Sequence, residues 1–415
     1  MRAAIITIGT ELTDGRIVDA NTAFVARKLE ERGLRVALAM TVPDDDAAIS
    51  KGLNYALGRD VALVVIAGGL GPTQDDITAP AVTRALELEL ETNLEAAAMV
   101  ADAVHLDAGS LAKHQVKQAI LPRGARPITP AGTAPGFALS HHGAHIIVLP
   151  GVPWELRAMW EEAMAAPELL KVNNDAIAPA RRRLCFYGAG EPEVSAAVES
   201  ILGKDLAGIE VSICARYREV ILEVAFSGES ERRVEDLLEA LQDRFADFVY
   251  SEGQEIEGVI ATELGRIGKS LSVAESCTGG MLGETITGVS GASKFFRGGV
   301  IAYDNEIKKT VLKVSQESLD SEGAVSESVA RQLALGVKDL CGADYGIGIT
   351  GIAGPGGGTQ EKPVGLVFIC VASGETSLVR RFNFFGGRDD VRRAAVTAAL
   401  HLLHRQMLAD SHFRE

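Results

Sequence analysis

Residues 61–67 read Val-Ala-Leu-Val-Val-Ile-Ala and lead directly into Gly68-Gly69. The run is apolar without alternation, as expected of a strand buried on both faces of a parallel sheet. Such a strand needs a covering layer on each side, and the flanking sequence supplies amphipathic stretches of helical period. In this first segment the pattern predicts strands over 3–8, 34–42, 61–67 and 146–149. Helices are expected over 21–32, ending at Gly33, and over 47–57 and 154–165. Strand–helix alternation of this kind argues for a mainly parallel sheet.

The pattern changes twice further on. Over 176–254 the expected strands are 181–187 and 220–226, and the helices 194–202 and 232–245, which fits a small α+β module. Asn173-Asn174-Asp175 and Ser251-Glu252-Gly253 read as its linkers. Alternation then returns. Helices are expected over 256–267, 326–340 and 389–407, with strands over 271–274, 299–303 and 345–350 and a pairing couple over 364–371 and 377–384. The expected fold class is α/β. Two three-layer α/β domains, 1–170 and 255–415, are joined by the α+β module over 176–254.

Bulk properties exclude several functions. No apolar run reaches the roughly 18–20 residues of a membrane span, and a cytoplasmic protein with no membrane role is expected. A formal net charge of −15 disfavours nonspecific nucleic-acid binding. The five cysteines, Cys185, Cys214, Cys277, Cys341 and Cys370, show neither a disulfide framework nor zinc-ligand spacing.

The chemistry concentrates at 274–280, Ala-Glu-Ser-Cys-Thr-Gly-Gly. A strand-like run delivers two nucleophile-capable side chains into a Gly-Gly turn just before a helix-like run. Unpaired N–H groups at such a corner can hold an oxyanion or an anion. Two further blocks accompany it. One is Gly298-Gly299-Val300-Ile301-Ala302-Tyr303-Asp304-Asn305-Glu306-Ile307-Lys308; the other is the glycine loop 348–358. A serine needs a base, and no Ser-His-Asp set is apparent, because the histidines lie elsewhere, six of the eight at 141–145 and 401–412. A Ser276–Lys308 pair is the economical substitute, since a desolvated lysine can lose its proton near neutral pH. Tyr303 could relay or orient that proton. Cys277 is the rival nucleophile, intrinsically better but without a histidine partner nearby in sequence. Taken singly, Ser276 could be a helix cap, Tyr303 a core aromatic and Lys308 a solvated helix residue.

The first segment carries its own motif, Gly68-Gly69-Leu70-Gly71-Pro72-Thr73-Gln74-Asp75-Asp76-Ile77-Thr78. Its glycines allow close backbone approach to a ligand. Asp75 and Asp76 can bind a divalent cation or accept from a sugar hydroxyl, and Thr78 can cap the next helix. A plain strand–helix turn would use the acids merely as caps.

These blocks together resemble the long form of the CinA family. Gly68-Gly69-x-Gly71…Asp76-x-Thr78 is similar to the signature of the molybdopterin-binding fold. Ile8-Gly9-Thr10-Glu11-Leu12, Gly132-Thr133-Ala134-Pro135-Gly136-Phe137 and Leu149-Pro150-Gly151-Val152-Pro153 agree with it. The resemblance implies divalent-metal-dependent hydrolysis of ADP-ribose in this domain. Glu11, Gly69, Gly71, Asp75, Asp76 and Thr78 would form its site, and Asp75 and Asp76 would hold the metal. This chain has Gln74 where the family often has His, and Gln115 and Thr129 where it often has Asn. An amide has less metal affinity than imidazole, so a binding-only domain is the alternative.

The middle segment resembles the KH-like module of long CinA proteins. It lacks a basic Gly-x-x-Gly clamp, since Gly188-Ala189-Gly190 is followed by acids, so RNA binding is not expected. The third segment resembles the CinA deamidase domain, which converts nicotinamide mononucleotide to nicotinate mononucleotide and ammonia without a metal or other cofactor. That likeness extends through Gly323-Ala324-Val325-Ser326, Glu361-Lys362-Pro363-Val364-Gly365 and Gly387-Arg388-Asp389-x-Val391-Arg392. It implies Ser276 as nucleophile, with Tyr303 and Lys308 as its partners. Substrate would contact Glu275, Thr278, Gly279, Gly280, Asn305, Gly351, Gly354 and Gly356, and Arg388 or Arg392 would pair its phosphate. A homodimer is expected. The competing reading is a molybdopterin- or nucleotide-binding regulator, or a competence-associated interaction protein.

Overall fold

The computed structural model describes residues 1–169, 172, 178–203, 206–374 and 376–412. The expected linker at 173–175 lies outside them. The chain forms two compact units, Met1–Pro179 and Ala180–Glu415.

In the first unit the strands are β1 (Arg2–Ile8), β2 (Arg35–Val42), β3 (Leu63–Ala67), β4 (Leu90–Thr92), β5 (Ile120–Pro122), β6 (Arg126–Ile128), β7 (Gly136–His141) and β8 (Ala144–Leu149). The main sheet runs β2-β1-β3-β8-β7-β6, and β4 and β5 pair separately. From β2 to β8 the neighbours are parallel; β7 and β6 add antiparallel. Helices α1 (Ala20–Glu31), α2 (Asp46–Leu57), α3 (Thr78–Ala85), α4 (Leu94–Ala103) and α5 (Pro153–Met164) surround it. Successive residues of each central strand point to opposite faces. Ile6, Ile66 and Val148 therefore share a core with Leu53 of α2 and Val82 of α3. Ile5, Val65 and Ile147 share the other with Leu29 of α1 and Trp160 of α5. The unalternating run at 61–67 indeed yields a strand buried at every position.

The second unit begins with the α+β module. Its elements are β9 (Ala180–Tyr187), α6 (Glu191–Leu202), β10 (Ile209–Arg216), β11 (Glu219–Phe226), α7 (Glu231–Arg244) and β12 (Val249–Glu252). The sheet is antiparallel and ordered β10-β11-β9-β12. A β-α-β-β-α-β chain with that order has the ferredoxin-like arrangement, which refines the KH-like expectation. Residues 251–252, expected in a linker, end β12, where they pair with β9.

The remainder comprises, besides a short helix over Gln316–Ser321, α8 (Ile256–Ile267), β13 (Leu271–Glu275), α9 (Met281–Thr287), β14 (Phe296–Ile301), α10 (Asn305–Thr310), α11 (Glu327–Cys341), β15 (Tyr345–Gly351), β16 (Leu366–Ser373), β17 (Thr376–Asn383) and α12 (Arg388–His412). The sheet is ordered β14-β13-β15-β16-β17, parallel across its first three strands and antiparallel beyond. Leu264, Leu282 and Leu403, from α8, α9 and α12, share one core with β13 and β15. Val329, Leu333 and Val337 of α11 lie in another with Ala274 and Ala302.

The module and this domain, expected to be separate, share one unit because buried groups join them. His401 of α12 lies 2.9 Å from the Glu219 carboxylate through Nε2 and stacks on Tyr187 at 3.8 Å between ring centroids. The Tyr250 hydroxyl donates to the same carboxylate at 2.9 Å. Among the described residues no helix is long and apolar enough to cross a membrane.

Candidate active site

The chain leaves β13 into α9 on one face of the sheet. From the adjacent β14 it passes through α10 to α11 on the other. Neighbouring parallel strands with connections on opposite faces leave a crevice at their carboxyl ends, where ligands bind in open α/β sheets. Ser276 follows β13 and Ala302-Tyr303 follow β14, joined by the Ala302 N–H donating to the Glu275 carbonyl at 2.8 Å. The glycine loop after β15 adjoins from the other side of β13.

Lys308 is the unusual group here. Lys308 is 1% exposed, and it forms no ion pair among the described residues. Nζ donates to the Tyr303 carbonyl at 2.9 Å. Burial holds the amine below the usual lysine range, against the opposing pull of Asp304 and of Cys277, the residue beside Ser276. Asp304 also caps α10, accepting from the Glu306 N–H at 2.7 Å. No hydrogen bond joins Lys308 Nζ to Ser276 Oγ among the described residues. The Tyr303 hydroxyl points elsewhere and accepts from Arg388 at 3.2 Å.

The two nucleophile candidates now differ. Cys277 is 6% exposed, and burial, helped by the Glu275 charge, pushes its thiol up to about 12. A thiol so placed is almost wholly protonated at neutral pH and unreactive. Ser276 is half-buried, with its N–H fixed on the Ile349 carbonyl at 3.0 Å.

Glu275, expected at the substrate, is instead a buried cap. It is 1% exposed, and its carboxylate accepts from the N–H groups of Gly280 (2.9 Å), Leu282 (3.1 Å) and Gly283 (2.8 Å). Those donors at the start of α9 are therefore not free for an anion. The N–H groups of Thr278 and Gly279 donate to no backbone acceptor among the described residues, whereas the Cys277 N–H faces its own sulfur. Thr278 is fully buried, with no partner for Oγ1. An orphaned hydroxyl there suits a ligand atom, because a buried polar group without a partner is costly.

Arg392 donates to the Thr278 carbonyl through Nη2 at 2.8 Å, so it braces the loop. Arg388 donates to the Gly354 carbonyl at 2.8 Å and to Tyr303, tying the glycine loop to the end of β14. Gly351 and Gly354 are largely covered, Gly356 is exposed, and Asn305 is exposed at the first turn of α10.

The first unit has the same kind of crevice between β1 and β3, whose outgoing helices α1 and α3 lie on opposite faces. Glu11 follows β1, and the 68–76 loop follows β3. Asp76 accepts from the Thr73 N–H (2.8 Å) and hydroxyl (2.6 Å), and that hydroxyl also meets Asp75. This bond holds the Asp75 carboxyl below its usual range. Gly69 and Gly71 lie against the Thr78 and Asp76 side chains. Thr78 does not cap α3. It is fully buried, and its hydroxyl donates to the Gly68 carbonyl at 2.8 Å, so it fixes the loop and is removed from a substrate. Gln115 accepts from the Ala112 N–H, and the Thr129 hydroxyl donates to Glu162, 33 positions on. Among the described residues no three His, Cys, Asp or Glu side chains converge as metal ligands. Two carboxylates fit a magnesium-like ion that takes its other ligands from water and substrate phosphate.

The family model described as "CinA C-terminal domain" matches residues 253–407, and that described as "Probable molybdopterin binding domain" matches 4–171. A CinA-like protein of Syntrophus aciditrophicus is 39% identical over 420 residues, covering 99% of this chain and 99% of the relative. The chain belongs to the CinA family. A CinA-like protein of Geotalea uraniireducens is 36% identical over 99% of the chain and 98% of its own length. Among solved structures, the CinA protein of Thermoplasma acidophilum is 36% identical, covers 40% of this chain and 97% of its own, and has a TM-score of 0.37.

Sequence reasoning missed several supports of this CinA site. Lys362 donates to the Val325 carbonyl at 2.8 Å, and the Thr350 hydroxyl to the Ala324 carbonyl at 2.7 Å. The three blocks that hold these residues are visible in the sequence, but nothing in their spacing says that they brace one another.

Proposed function

We propose that the second unit hydrolyses the carboxamide of nicotinamide mononucleotide, giving nicotinate mononucleotide and ammonia. The observation that carries this reading is Lys308, a buried amine with no ion pair among the described residues, on the helix beside the Ser276 corner. A neutral amine there can take the Ser276 proton as Oγ attacks the amide carbon. The N–H groups of Thr278 and Gly279 would stabilise the resulting oxyanion. The C–N bond then breaks, the nitrogen leaves as ammonia with the proton returned from Lys308, and water hydrolyses the acyl ester. Small side-chain and backbone adjustments on substrate binding would close the Ser276–Lys308 contact, as catalytic hydrogen bonds often tighten only in the complex.

The test is ammonia release from nicotinamide mononucleotide by the full chain. Ser276→Ala should abolish release, while Cys277→Ala should keep most of it. Turnover retained without the serine hydroxyl would reassign the nucleophile. No release by the folded wild-type chain would favour a binding role.

A second reading concerns the first unit, where Asp75 and Asp76 share the Thr73 hydroxyl at the β1/β3 crevice. The pair would hold a divalent ion that polarises the pyrophosphate of ADP-ribose. Magnesium-dependent AMP release, lost in Asp76→Ala, is the expected result; AMP release unchanged by EDTA would exclude it.

A further inference from the structure

A second cleft opens within the Ala180–Glu415 unit, between the ferredoxin-like module and the far half of α12. Its volume is about 640 Å³, in the range of small-molecule sites. Arg218, Arg380 and Arg405 line it, from the β10–β11 turn, β17 and α12, with Asp247 as the one acid of the lining. That is a local excess of positive charge on a chain of net charge −15. None of the three guanidinium groups meets a carboxylate among the described residues. Arg380 donates only to the neighbouring Val379 carbonyl at 2.9 Å, and Arg218 lies 5.9 Å from the Tyr187 ring centroid. Aromatic rings face the same space, with Phe248 at the rim 40% exposed. His401 and His404 also line it; burial lowers both below the usual histidine range, so they add no charge near neutral pH.

The arginine at the turn is held under strain. Tyr217 and Arg218 form the two-residue β10–β11 connection with φ of 48° and 70°. Neither is glycine, and such backbone persists only where surrounding structure dictates it. Tyr217 packs on the core of the catalytic domain, which supplies that constraint and aims Arg218 at the cleft.

We propose that this cleft binds a nucleotide, a small molecule with a planar heteroaromatic ring and a phosphate. The guanidinium groups match phosphate oxygens, and the aromatic walls match a base. The site is independent of the deamidase reading. Its occupant would fasten the module to α12, the helix that also carries Arg388 and Arg392.

Phe248→Trp in the full chain makes the cleft observable, because the native indoles, Trp154 and Trp160, both lie in the first unit. Titration with AMP should quench the introduced indole saturably after subtraction of the wild-type signal. Adenosine and ribose 5-phosphate should each bind at least ~10-fold more weakly than AMP, and adding Arg380→Ala with Arg405→Ala should weaken AMP by at least ~10-fold. Both arginines are exposed, and an unchanged thermal melt would show that the fold survives. Absence of saturable quenching, quenching by ribose 5-phosphate equal to that by AMP, or indifference to loss of both arginines would overturn the proposal.

Discussion

At the scale of the residue, Lys308 sets activity against stability. Its folded-state pKa lies below the unfolded value because burial penalises the ammonium. Between those two values the unfolded chain binds more protons, so stability rises with pH through the window and is lowered beneath it. Lys308→Met removes the penalty and nearly preserves volume. A gain on the order of 1 kcal/mol is expected near pH 7, with complete loss of deamidation. The gain should shrink above roughly pH 10, where the unfolded lysine is also neutral. Thermal melts across pH read the first effect and ammonia release the second. The rate of the native enzyme should rise with pH as the amine deprotonates, and Lys308→Arg should be inactive, since guanidinium keeps its proton. A flat pH profile from Lys308→Met with normal turnover would remove the lysine from the mechanism. Ser276 and Lys308 stand out in the sequence because their chemistry is scarce, and the structure adds that Lys308 is buried. Glu275 does not: a carboxylate before a helix reads alike whether it meets a ligand or, as here, three N–H groups of its own turn.

At the scale of the element, strands were legible in proportion to their burial. β3, β13 and β15, buried almost throughout, stand out as apolar runs. β14 is an edge strand interrupted by Gly298 and Gly299, and the expectation of 299–303 slid past its real bounds, Phe296–Ile301. β12 and the β4–β5 ribbon, short and partly exposed, left no pattern to read. Glycines inside β15 mark a packing demand instead of a turn. A Cβ at Gly348 would fall 2.6 Å from the Ala334 nitrogen and 2.9 Å from the Leu333 Cβ on α11. Backbone cannot yield there as a flexible side chain would, so α11 must move outward. Gly348→Ala should destabilise the second unit by about 1–3 kcal/mol or more, read as a lower urea midpoint. The adjoining 351–358 loop would shift with it and lower deamidation. Unchanged stability would mean that the helix is less tightly seated on β15 than its contacts indicate.

At the scale of the whole molecule, the order of the three segments was legible, but their grouping was not. The lock between the module and the C-terminal α/β domain joins His401 to Glu219, 182 positions apart, and no local pattern announces such a pair. The first unit, by contrast, closes its two cores with its own helices and carries its candidate site on its own strand ends. The second does the same with β13 and β14. The two proposed reactions are therefore expected to run independently. Asp76→Ala removes a carboxylate from an exposed loop, touches neither core, and should leave ammonia release from nicotinamide mononucleotide at the native rate. Ser276→Ala should correspondingly leave AMP release from ADP-ribose unchanged. Loss of both activities in either variant, with native thermal melts, would require a coupling path between the units that neither site needs for its own chemistry.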